Sequence, residues 1–204
     1  MKKLSQVDDA GDSIFRSNHA FYRDAMKTGP QLDALTLRFL QHLQDVFDKF
    51  ERQQPSSGIS LFEWSRTSLG IASTNAMMSP VLLRDNPDFL QSVFLVDMGF
   101  FYFVNRVPRM FARKYYQARD RVLAALTKYF ADGCAVQESA PLIRDREAQL
   151  REKGIKIEDI AAYSFSAYVV SLPFPLCYAL IHIITGVRNS ACPTVYLVTD
   201  PLLA

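Results

Sequence analysis

Cysteine is scarce in this 204-residue chain: Cys134, Cys177 and Cys192 lie far apart and are odd in number. Such a set does not make a disulfide framework and fits a reduced compartment with unpaired thiols. Histidine is equally sparse. His19, His42 and His182 lack metal-ligand spacing and no Cys-x-x-Cys accompanies them, which excludes the usual structural zinc sites. The 8 glycines are scattered singly, so there is neither a glycine-rich phosphate loop nor a G-x-S-x-G nucleophile elbow. A formal net charge of +2 provides no global field directed at nucleic acid or an acidic partner. The opening MKKLSQVDDAGDS has two lysines but no apolar run behind them, unlike a signal peptide. Strand signals and internal repeats are nearly absent.

What remains is helical pattern, in a composition 49% hydrophobic and 22% charged that suits one sizeable core or two small ones. After Thr28–Pro30, apolar residues fall at Leu32, Leu35, Phe39, Leu43, Val46 and Phe50, the three-and-four spacing of one buried stripe. The QQPSSG stretch ends that helix. Ser60 and Glu63 form an S-x-x-E capping box ahead of a helix reaching Met78, with Trp64 in its first turns. Ser79-Pro80 closes it. Asn86-Pro87 opens an apolar helix over Asp88–Val104. A further helix is predicted over Met110–Phe130, with Phe111, Tyr115, Ala118, Val122, Leu126 and Tyr129 as its stripe. Ser139 as cap and Pro141 at the first position start a charged helix to about Lys153, and Gly154 stops it. Glu158 and Asp159 place negative charge at the start of the next helix.

From Ile160 to Val187 no residue is charged. That length admits a membrane span, yet Pro173 and Pro175 each remove a helical hydrogen bond and several serines dilute the apolar character. A buried helix broken by a loop fits equally. The basic residues Arg106, Arg109, Arg113, Lys114, Arg119 and Arg121 alternate with Phe111, Tyr115 and Tyr116. Nucleic acid or lipid is one reading of them; an amphipathic helix with a wet basic face is the favoured one.

Four stretches together resemble a known family: LFEWSRTSLGIASTNAMMSP (Leu61–Pro80), the long block Leu82–Phe130, IEDIAAYSFSAYVV (Ile157–Val170) and NSACPTVY (Asn189–Tyr196). In this order they resemble the central part of fungal cytochrome P450s, in the branch of sterol 7α-hydroxylases and prostacyclin synthases. The resemblance implies a mainly α, partial P450 fold with helices resembling D to I. Residues 1–204 would be a single partial domain. Leu61–Met78 would be helix E, and Asp88–Val104 and Met110–Phe130 the F and G helices. Those two roof the substrate cavity, with Phe94, Phe101 and Phe103 as lid residues. Ser139–Lys153 would be helix H, and the helix from Ile157 the I helix over the haem.

In that branch the I helix carries an Asn-x-x-Pro sequence, whose missing N–H opens a groove for oxygen. NSACPTVY matches at Ala191, Pro193 and Tyr196 and departs at Cys192, with Asn189 one place early. Ala191, Cys192, Pro193 and Thr194 are thus the candidate residues of a distal haem and oxygen groove, Thr194 offering a hydroxyl to a freed carbonyl. Residues 171–188 have no counterpart in the family and read as an atypical insertion, an intron translated in frame. Without them Val170 would join Asn189 in one helix, since about five turns are removed. No haem-ligand loop is expected: the family's cysteine in a glycine-rich loop, preceded by a Glu-x-x-Arg helix, is not found before the chain ends after DPLLA. The metal ligand is therefore absent and the 204 residues are expected to be inactive alone.

For a full-length relative the resemblance implies haem, a hydrophobic small-molecule substrate, electrons from an NADPH–P450 reductase, and the endoplasmic reticulum membrane. Two other classes stay open: a small helical protein anchored in a membrane by residues 160–187, and a non-catalytic helical binding module using the Asp88–Val104 surface.

Overall fold

The computed structural model describes Phe21, Asp24 and residues 27–53, 60–133 and 137–171. These residues build helices and, among themselves, no strand, as a mainly α fold requires. In chain order the helices are α1 (Pro30–Gln53), α2 (Leu61–Met77), α3 (Pro80–Asp85), α4 (Phe89–Met98), α5 (Phe100–Val104), α6 (Arg113–Ala131), α7 (Pro141–Glu152) and α8 (Ile157–Ser171).

Among the described residues helix α1 packs mainly on α2. The six apolar residues of its expected stripe, Leu32 to Phe50, are all half-buried, while Leu37, Leu40 and Phe47 stay exposed. Trp64 of α2 anchors the pair: the Phe47 ring stacks on it at 5.5 Å and the Phe50 ring leans on it at 5.2 Å. Each such ring pair adds about 0.5–1.5 kcal/mol beyond its buried area. Helix α2 starts at its capping box, where Ser60 Oγ accepts the Glu63 amide at 3.4 Å. It is flanked by α1 on one side and by α3 and α4 on another. Small buried residues (Ser65, Ser68, Gly70, Ala72, Thr74, Ala76) let these neighbours approach. Thr74 satisfies its buried hydroxyl inside the helix, on the Gly70 carbonyl at 2.7 Å.

The core is centred on α6. Val122, Leu126 and Phe130 are fully buried, in one cluster with Met78 and Leu82, with Phe89 and Val93 of α4, and with Ile160 and Ala161 of α8. Burying one such side chain contributes about 1.5–3 kcal/mol. Polar groups left over at the helix ends are served from far away in the chain. The Tyr129 hydroxyl donates to the Met78 carbonyl at 2.5 Å, and the Ala140 amide donates to the Met77 carbonyl at 2.9 Å. The end of α2 is thereby closed by α6 and by the residue before α7. At the end of α6, Arg151 Nη2 donates to the Phe130 carbonyl at 2.9 Å while its Nε bonds the buried Glu147. A cation at a helix C-terminus also complements the helix dipole.

Three boundaries differ from the sequence reading. The helix expected over Asp88–Val104 is divided into α4 and α5 at Gly99. Helix α6 begins at Arg113 rather than Met110, so Phe111 lies outside the stripe, 74% exposed. Ser139 is buried but is not the cap of α7; Ala140 holds that place without a side-chain bond, and Pro141 is the first helical residue. The stop at Gly154 is as expected. Its φ is +69°, its amide donates to the Arg151 carbonyl at 2.8 Å, and the Ile155 amide donates to the Leu150 carbonyl at 3.1 Å. This is a Schellman closure whose apolar contact, Ile155 with Leu150, sits in the core.

Of the uncharged segment only the beginning is described, and there Ile160 and Ala161 face the core. Among the described residues no helix is long and apolar enough to cross a membrane. Residues 172–188 of the proposed insertion, and all three cysteines, lie outside the described residues.

Replacing Tyr129 by Phe removes the only donor atom of that ring and leaves the buried Met78 carbonyl without it. A loss of about 1–2 kcal/mol is expected in denaturant unfolding, with the helical circular dichroism of the native state unchanged.

Candidate functional site

Residues 98–120 form an aromatic tip where α4, α5 and the start of α6 meet. Gly99 makes it possible. A Cβ there would lie 2.6 Å from Cβ and Cγ of Tyr115, so α6 crosses directly against the joint between α4 and α5. The Tyr102 and Tyr115 rings stack beside this crossing at 5.0 Å. Helix α5 ends with Arg106 in the left-handed region at φ +52°. The Arg106 amide donates to the Phe103 carbonyl at 3.1 Å and the Val107 amide to the Tyr102 carbonyl at 3.0 Å.

A second layer clamps the loop that follows. The Tyr116 hydroxyl donates to the Val107 carbonyl at 2.9 Å, and Phe103 meets the Tyr116 ring edge-on at 5.0 Å. Arg109 makes two bonds to Asp120, at 2.9 and 3.2 Å, and Arg119 donates to the same carboxylate at 2.9 Å. The Arg119 guanidinium also lies 5.0 Å above the Tyr116 ring. Two of the six basic residues singled out from sequence are therefore tied into this clamp, whereas Arg106, Arg113, Lys114 and Arg121 are exposed. The clamp holds the loop in place while Met98, Phe100, Phe101, Val104, Met110 and Phe111 remain exposed at its tip.

The three phenylalanines expected to line a lid fall in different surroundings. Phe94 of α4 is half-buried against α2, with the Arg66 guanidinium 4.5 Å from its ring centre. Phe101 is 71% exposed. Phe103 is held by Tyr116 and Arg119. All three belong to α4 or α5, but the described residues do not bring them to one wall. Ala191, Cys192, Pro193 and Thr194 lie outside the described residues.

One feature escaped the sequence reading. The Glu-x-x-Arg spacing does occur, at Glu63 and Arg66. It sits in the first turns of α2, where Arg66 lies between the Phe62 and Phe94 rings. Its place in the first half of the chain, with no cysteine loop after it, had hidden the match.

A haem-thiolate centre needs a sulfur donor. No described residue is a cysteine, and among the described residues no group of three or more His, Cys, Asp or Glu is placed to hold a metal.

Comparison with known proteins supplies what the geometry alone does not. Over 158 residues the chain is 28% identical to cytochrome P450 monooxygenase nodJ of Hypoxylon pulicicidum, a match covering 74% of this chain. The likeness reaches the P450 superfamily and no further. The match spans 29% of the length of that relative. No family model and no solved structure matches the chain.

The close crossing at Gly99 is open to a direct check. Gly99→Ala forces a methyl group into Tyr115 and is expected to lower stability by about 1–3 kcal/mol in thermal or chemical melts.

Proposed function

We propose that these residues are the central part of a haem-thiolate monooxygenase, in the sterol 7α-hydroxylase and prostacyclin-synthase-like branch of the P450 superfamily. The observation that carries the proposal is the likeness to nodJ over 158 residues. A helical chain in which two consecutive helices form an apolar, aromatic roof is compatible with it. In this reading α4, α5 and α6 cover a hydrophobic small molecule and keep water from it, with Phe94, Phe101 and Phe103 as apolar members of the cover. In the full-length relative a bound haem would supply oxygen activation, with electrons from a reductase, and Ala191, Cys192, Pro193 and Thr194 would border its distal side. The axial thiolate would come from outside these residues, so the 204 residues alone are expected to lack activity. The buried position of Ile160 and Ala161 gives no preference to a membrane-anchored alternative.

A chimera tests the reading. The matched segment of nodJ is exchanged for the corresponding residues of this chain, beside a control carrying an unrelated helical segment of equal length. The expected result is haem incorporation and the red-shifted carbon-monoxide band of a thiolate-ligated iron in the first chimera only. A soluble, helical chimera that takes up no more haem than the control would contradict it and favour a non-catalytic binding module.

A further inference from the structure

We draw no further inference here: the strongest candidate, the surface patch of the aromatic tip where exposed Phe101, Met110 and Phe111 lie beside the exposed cations Arg106, Arg113 and Lys114, belongs to the site already described, and nothing in the structure shows what covers it.

Discussion

Helix Arg113–Ala131 has to be covered along most of its length, and that requirement organises the described chain. Val122, Leu126 and Phe130 have no access to water, and they lose it to three different neighbours: α4, the α2–α3 turn and α8. For α4 and α8, α6 is the main packing partner. Helix α4 is apolar nearly all round, and α8 carries no charge after its first turn. A helix that is apolar on more than one side is stable only inside a larger packing unit. The polar accounting follows the same centre. Tyr129 closes the end of α2 from within the core, and Arg151 closes the end of α6 itself. Apolar contact and helix-end hydrogen bonds thus converge on one element, and elements distant in sequence are held to it by both.

The same arrangement explains what is left uncovered. Once its C-terminal half is spent on the core, α6 meets the α4–α5 joint with its N-terminal half, where Gly99 allows Tyr115 to come in. The Asp120 carboxylate gathers Arg109 and Arg119, and Tyr116 takes the Val107 carbonyl. These bonds fasten the loop but cover none of its outer apolar side chains. Phe101 in α5, and Met110 and Phe111 in the loop after it, therefore stay exposed.

Much of this was legible in the sequence wherever the signal is local. The capping box at Ser60 and Glu63, the one-sided stripe of α1 and the glycine stop at Gly154 depend on residues within a turn or two of each other, and they stand where the pattern puts them. The break at Gly99 was not legible. A glycine inside an apolar run is tolerated in a helix, and the reason for the break is Tyr115, which arrives from another helix. Phe111 was misplaced because its spacing fits the α6 stripe, although the turns from Pro108 end only at Ala112. The buried face of α2 showed no stripe, since its inward residues are small or polar rather than large and apolar. The place of Arg66 between the Phe62 and Phe94 rings was not legible either, since Phe94 arrives from another helix. The oxygen-groove candidates from Ala191 to Thr194 fall outside the described residues.

Native-state hydrogen exchange of the intact chain measures the central role of α6 most directly. The amides of Val122 to Phe130 should exchange most slowly of all, at the rate of global unfolding, with the core amides of α4 and α8 released together with them. Helix α1, packed mainly on α2, should exchange earlier. If α1 and α2 instead formed the slowest unit while α6 exchanged through local opening, the chain would be organised around a different centre, contradicting the role assigned to α6.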